Sequence, residues 1–563
     1  MIRLLVLYAR DKSLNRFDQF MRHFMDMDEV LKQMSRYGVL TDPQARCQFK
    51  DKLTSDIKNK EKELHEKVPA LANPKDKVYK RVPSEFRCKQ CKGNGFTVKV
   101  RSKNKVKSRV IEGCEDCEGK GFLADKIPAT KVLGDDVGTF EPTSRTVKGE
   151  DGIKRPQWRL KFAFNSKSTV QVQSYLSSQC YPLPKHRKTG LTTTGEKDLE
   201  ALARKHNDPI LWLILGIREL RTMRDTFMGH SYDPDEDGRI RANFGFKPRT
   251  GRLNAFGPNI QQVPKRNPTL AKAFRKQFIA SEGHLLYERD YSSIEAIITG
   301  TLAKDEKFIQ ATAHSIHAIL CSYMLGSPID LKWPVNRIRK AVRGLKREHP
   351  GDYSKAKEVI YLSLYGGKPR MIFYRNPGIF KSIAEATKLQ NLFFETLATG
   401  VRRWQYLSLI EADEKSYLDT PYGYWHWFWE PMAIKPEKGN SLIWTRNRAK
   451  ARLLEGDLTY AKKHIKFTSS SDKVLAFRSQ SIAASKLKDD CLTMAKDKEL
   501  GPTMRWVIHD AFINEIPEDK IIEYDKRIFK IMSRPILNGL RIGSEATSGR
   551  NWGEMEEMIA EVD

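Results

Sequence analysis

One stretch limits the possible folds more than any other: Leu285-Leu286-Tyr287-Glu288-Arg289-Asp290-Tyr291-Ser292-Ser293-Ile294-Glu295-Ala296-Ile297-Ile298. Its first half is short, apolar and aromatic, which predicts a strand. Its second half sets Ile294, Ile297, Ile298 and Leu302 at helical spacing, with Ser292 as the expected cap. Asp290 therefore falls where a strand hands over to a helix. A carboxylate at such an exit, with backbone carbonyls beside it, suits a hard divalent cation. An aspartate near a helix start is equally at home as a cap, so this stretch alone leaves both roles open.

Two later stretches narrow the choice. Lys357-Glu358-Val359-Ile360-Tyr361-Leu362-Ser363-Leu364-Tyr365-Gly366-Gly367 sets a cation and two phenols four residues apart along one helix face closed by glycines. Val507-Ile508-His509-Asp510-Ala511-Phe512-Ile513-Asn514-Glu515-Ile516 is β-rich with a lone carboxylate midway, and predicts a hairpin with Asp510 near its tip. Together with Thr250-Gly251-Arg252-Leu253 and Pro258-Asn259-Ile260-Gln261, these stretches resemble, in the same order, the signature motifs of family A DNA polymerases. The resemblance runs from about Met27 to Glu556 with one interruption. It implies an α+β, right-hand architecture. A thumb region would cover 27–249 after a short segment, 1–26, with a palm built on an antiparallel sheet from 250–303 and 418–563, and helical fingers over 304–417. It also implies templated addition of deoxynucleoside triphosphates to the 3′ end of a DNA primer.

The composition agrees. Lysine and arginine number 99 against 70 aspartates and glutamates, a formal net charge of +29 over 563 residues, so a polyanionic partner is the first expectation. The apolar run Leu4 to Ala9 is too short for a membrane span and leads straight into Arg10-Asp11-Lys12, which predicts a cytoplasmic protein with no membrane anchor. No Asp-x-Glu metal pair precedes the first thumb helix, so no proofreading exonuclease is expected in this chain. A separate exonuclease or processivity partner would then serve it, and the short form suggests a bacteriophage or other mobile element as source.

Four of the eight cysteines fall in two similar knuckles, Cys88-Lys89-Gln90-Cys91-Lys92-Gly93-Asn94-Gly95-Phe96 and Cys114-Glu115-Asp116-Cys117-Glu118-Gly119-Lys120-Gly121-Phe122, inside an insertion over about 68–160. This spacing predicts one tetrahedral Zn²⁺ held by Cys88, Cys91, Cys114 and Cys117 in a module over 84–124, the glycines allowing tight turns around the sulfurs. The repeat also resembles the Cys-x-x-Cys-x-Gly-x-Gly units of J-domain co-chaperones, so a chaperone-like binding module is the rival reading of this segment. Between the knuckles, Lys99, Arg101, Lys103, Lys105, Lys107 and Arg109 occupy every second position. A hairpin turning at 102–104 would gather them on one face, either against duplex phosphate or as a solvated edge.

Phosphoryl transfer requires the attacking 3′-oxygen and the leaving pyrophosphate to be stabilised together, which two Mg²⁺ ions bridged by carboxylates from separate elements achieve. The resemblance assigns those carboxylates to Asp290 and Asp510, with the Tyr291 carbonyl as a further ligand beside the nucleotide. It assigns Lys357 and His317 to the triphosphate, Tyr361 to the incoming sugar and Tyr365 to the side of the template base. Glu295 would close the sugar pocket and exclude a 2′-hydroxyl, although Ser292-x-x-Glu295 is also a capping box. Arg252, Asn259, Gln261 and Gln480 would line the minor groove, where a fixed donor reads pair geometry and not sequence, with His509 and Lys488 as further DNA contacts. A helix interleaved with Arg218, Arg221 and Arg224 is a candidate grip on the primer-template backbone.

Three positions depart from the pattern. Tyr353 stands where an arginine is usual, which would move phosphate binding to Lys355, Arg343 or Arg347. Ala511 replaces the acidic third member of the usual His-Asp-Glu, and Ala476 replaces a minor-groove asparagine. These departures keep two alternatives open: a single-subunit RNA polymerase, and a zinc-containing DNA-binding accessory protein with a weakened polymerase core.

Overall fold

The computed structural model describes residues 21–68, 77–79, 88–90, 96–103, 106–115, 138–148, 154–162, 164–185, 189–263, 267–376, 378–537 and 539–558. Contacts divide the chain into two units, Leu53–Met223 and a larger one made of Met1–Lys52 with Arg224–Asp563.

In the smaller unit, Leu64, Val172, Tyr175, Leu199, Leu211 and Ile214 form a helical core. Asp208 starts the helix Pro209–Thr222 by accepting from the amides of Ile210 and Leu211 at 2.8 and 3.3 Å, while its other oxygen takes the Tyr175 hydroxyl at 2.7 Å. The arginines expected to grip DNA are occupied within the protein. Arg218 donates to the Ser166 and Thr194 carbonyls, Arg221 pairs with Glu61, and Arg224, just beyond this unit, pairs with Asp225. A hairpin forms, with Phe96–Lys103 antiparallel to Val106–Gly113, and its register pairs Lys99 with Val110, Val100 with Arg109 and Lys103 with Val106; Lys105 lies outside the described residues.

The larger unit includes the helix Met27–Tyr37 and the start of the helix Pro43–Lys67, up to Lys52. Between these two helices, Val39–Thr41 forms a strand paired with Phe278–Ile279 on one side and Arg239–Ile240 on the other. The elements that build the candidate site follow in chain order: β1 (His284–Tyr291), α1 (Ile294–Ala303), α2 (Ile316–Met324), α3 (Val335–Glu348), α4 (Pro350–Leu364), α5 (Thr399–Lys415), β2 (Tyr417–Asp419), β3 (Trp425–Trp427), α6 (Ser471–Lys496), β4 (Met504–Ile508), β5 (Ala511–Pro517), β6 (Ser544–Gly549) and β7 (Glu556–Glu557).

Strands β4-β5-β1-β6-β7, in that order, make a five-stranded antiparallel sheet with β1 at its centre. Tyr287 and Arg289, two residues apart and so on one face of β1, are buried against the helix Ile521–Met532. There the Tyr287 hydroxyl and the Arg289 guanidinium both donate to Asp525, at 2.6 and 2.5 Å. A second buried core, including Phe308, Ile319, Val359, Phe393, Leu409 and Phe477, joins the helices α2, α4 and α5 to α6. α4 opens on Pro350 and ends at Tyr365-Gly366. Gly366 has φ +75°, and a Cβ there would lie 2.8–2.9 Å from Phe467 and Leu475, so only glycine lets the chain turn this close to its neighbours.

Candidate active site

The two carboxylates predicted from separate stretches meet. β1 and β5 run antiparallel with Asp290 opposite Ala511, and Asp510 immediately precedes Ala511 in the two-residue turn that joins β4 to β5. The Tyr291 amide donates to the Asp510 carbonyl at 3.3 Å, tying the two acid-bearing segments together. The turn is possible because His509 takes a positive φ of 56°, as the first position of a type II′ hairpin turn requires. Asp290 is exposed and Asp510 half-buried.

Two carboxylates and the Tyr291 carbonyl are a hard oxygen set, and so few protein ligands suit Mg²⁺, which keeps waters and binds substrate phosphates. Among the described residues no group of three or more histidine, cysteine or acidic side chains is gathered as a metal site. Glu545 of β6 pairs across from Asp290 on the side away from Ala511. The sequence reading did not single out this carboxylate, because only strand order brings it there.

α4 presents its expected face beside the acids. Burial raises the Tyr361 hydroxyl above its usual range, and the nearby charges of Asp510 and Asp290 add to the shift. His317 of α2 lies 5.6 Å from Tyr361, ring to ring, and 5.9 Å from Tyr353. Burial, helped by the Lys357 charge, pushes His317 down to about 4, so it is neutral at pH 7. Lys357 is exposed. Of the proposed substitutes for the missing arginine, Lys355 is already paired with Glu385 at 2.8 Å and with Asp352 at 3.6 Å, and Arg347 pairs with Glu348 at 2.7 Å. Arg343 is exposed on α3.

Glu295 is the meeting point of three elements. Its carboxylate accepts from Tyr365 at the end of α4 and from Gln480 of α6 at 3.4 Å, and it forms an ion pair with Arg252. The capping box is not formed. Ser293, and not Ser292, is the cap residue of α1, with φ 55° and no side-chain bond to the helix.

The remaining groove residues are placed differently from the expectation. Asn259 accepts from the Gln261 amide at 3.2 Å, and Gln261 bridges the Ala255 amide and the Val507 carbonyl, each at 3.2 Å. Gln261 therefore fastens the loop to β4, and Asn259 caps the turn within it. Lys488 is fully buried. Its ammonium donates to the Tyr424 hydroxyl at 2.8 Å and is ringed by Phe24, Phe246 and Tyr424 at 4.9–5.3 Å, while burial pushes it down to about 7. It is enclosed away from any DNA surface. Sequence reasoning also missed a buried group around Tyr291. Its hydroxyl donates to Asp490, which Lys486 and Arg534 also contact, and burial raises the Asp490 carboxyl against their pull. The available signal was Lys486 four residues before Asp490, an i,i+4 pair in a helical stretch.

An antiparallel sheet with paired acids at its strand ends, faced by a helix carrying lysine and tyrosines, is the fold of a nucleotide polymerase domain. In keeping with this, the structure is similar across 98% of its length, and 74% of the other chain, to the POL domain of Pol1 from M. smegmatis in complex with DNA primer-template and dNTP, with a TM-score of 0.62 at 18% identity. Residues 151–554 match the DNA polymerase family A, and the chain belongs to that family. It is 27% identical over 406 residues to the thermostable DNA polymerase I of Thermus filiformis, covering 70% of this chain and 42% of the relative. It is 32% identical over 272 residues to that of Thermus aquaticus, covering 46% of this chain and 29% of the relative. The chain thus spans less than half the length of these relatives. Among the described residues, no helix is long and apolar enough to cross a membrane.

Proposed function

We propose that this chain is a DNA-directed DNA polymerase that adds deoxynucleoside triphosphates to a primer 3′ end without needing the acid missing at Ala511. The observation that carries the reading is the meeting of Asp290 and Asp510 beside an α4 face that bears Tyr361. Asp290, Asp510 and the Tyr291 carbonyl are the groups that would hold Mg²⁺, which when bound supplies charge stabilisation to the attacking and leaving oxygens. Lys357 and the neutral His317 take the triphosphate, and Tyr361 packs on the sugar. Arg252 reads the primer-terminal pair while Glu295 holds it in place. We assign the palm to 250–303 and 418–563 and the fingers to 304–417 on the same reading.

Glu295 favours deoxynucleotides over the RNA polymerase alternative: its carboxylate, held by Arg252, Tyr365 and Gln480, is the group that would exclude a 2′-hydroxyl. The test is substitution of each acid. Asp290→Ala and Asp510→Ala should each abolish nearly all nucleotide addition and leave primer-template affinity largely intact, and a variant that keeps native turnover would overturn the assignment.

We also propose one structural Zn²⁺ in the smaller unit. Cys88 and Cys114 are both buried with their sulfurs 3.7 Å apart. Zinc–sulfur bonds of about 2.3 Å at tetrahedral angles set the sulfurs about 3.8 Å apart. Cys91 and Cys117 lie outside the described residues.

A further inference from the structure

The hairpin of β2 and β3 carries aromatic surface that none of these roles uses. Its register pairs Tyr417 with Trp427, Leu418 with His426 and Asp419 with Trp425. Tyr417, Trp427, Asp419 and Trp425 therefore share one face. The opposite face is the inner one: Leu418 is fully buried, and His426 lies 5.0 Å from Phe428 and 6.1 Å from Phe477 of α6. On the outer face, Trp425 and Trp427 remain 42% and 49% exposed with ring centroids 5.6 Å apart, and Tyr417 stands edge-on to Trp427 at 5.5 Å. Two indoles left this open on one short hairpin mark a binding surface more readily than a solvated edge.

The location of the hairpin says what it would bind. Tyr424, which leads into β3, packs so closely on Gly251 that a Cβ there would overlap its ring, and Gly251 adjoins Arg252. Phe477, under His426, lies one turn of α6 before Gln480. The hairpin is thus wedged between Arg252 and Gln480, the two residues that meet at Glu295. On the inner face, burial lowers the His426 imidazole, and the charges of Arg249 and Lys473 add to that shift. Asp419, the acid on the outer face, is answered by Arg478 at 3.6 Å.

We propose that Tyr417, Trp425 and Trp427 form a stacking platform for unpaired DNA bases, engaging the single-stranded template beside the primer junction. The choice of strand rests on the polymerase reading above. Every base has a π-face, so exposed rings hold a single strand whatever its sequence.

The test compares the native full chain with W425A/W427A and W425F/W427F for affinity to a short oligo-dT, to a blunt duplex and to itself. The alanine pair should lose about tenfold or more in oligo-dT affinity and stay within about twofold on the duplex, whereas the phenylalanine pair, which keeps a ring at each position, should bind oligo-dT nearly as the native chain does. Native oligo-dT affinity in the alanine pair would overturn the proposal. So would self-association of the native chain that the alanine pair loses with no change in oligo-dT binding, because the face would then be an interface between copies. Primer extension by the native chain separates the two readings: platform loss in a chain that never extends a primer sinks only the polymerase assignment.

Discussion

Removing Glu295 would release three side chains at once, because Arg252, Tyr365 and Gln480 all meet at its carboxylate. Glu295→Ala should therefore lower discrimination against ribonucleotides by about 10- to 100-fold, measured as the ratio of kcat/KM for matched deoxy and ribo substrates. Unchanged discrimination would mean that the carboxylate serves only to order its neighbours. His317 gives a pH-dependent expectation. Its folded pKa of about 4 lies below the ordinary 6.5, so the unfolded chain takes up this proton first as pH falls. The stability tied to neutral His317 is present above pH 6.5 and is lost as pH drops towards 4. His317→Gln should lessen the acid destabilisation within that window, read by denaturant unfolding at several pH values, and an equal pH slope in both proteins would count against it. At this scale the sequence was legible where chemistry needs a fixed residue type, as at Asp290, Asp510 and Glu295. It was not legible for Lys488 or Gln261, because whether a polar side chain faces the groove or the protein depends on rings and carbonyls supplied from distant segments.

Among the elements, α6 does two jobs, bringing Gln480 to Glu295 and burying the group of Lys486 and Asp490 beneath Tyr291. Cutting Asp490 back to alanine leaves the Lys486 ammonium buried without its partner, which should cost about 3–5 kcal/mol of stability. Urea unfolding measures this, and a loss below about 1 kcal/mol would mean that water or loss of the Lys486 proton compensates. The strand–helix passage at Asp290 and the β4–β5 hairpin were readable from apolar runs and a lone acid, since both patterns are local. The strand Val39–Thr41 was not, because three residues carry no period of their own and take their structure from two partners some 200 and more residues away.

For the whole molecule, a net charge of +29 fits a partner that is itself a polyanion, and the two units offer separate tests of the account. In the smaller unit, one equivalent of Zn²⁺ per chain is expected, with chelation or Cys88→Ser releasing it and loosening the segment around 88–115. A purified chain that folds with no bound zinc would remove the metal from the description. In the larger unit the order of motifs along the chain was enough to anticipate the architecture, because acids on separate strands can share ions only if the sheet brings those strands together. The most direct measurement is primer extension by the native chain with Mg²⁺, a primed DNA template and either deoxy- or ribonucleoside triphosphates. The account predicts template-matched addition of deoxynucleotides with release of pyrophosphate, strongly preferred over ribonucleotides. Failure to extend the primer with any nucleotide, or extension with ribonucleotides alone, would contradict it.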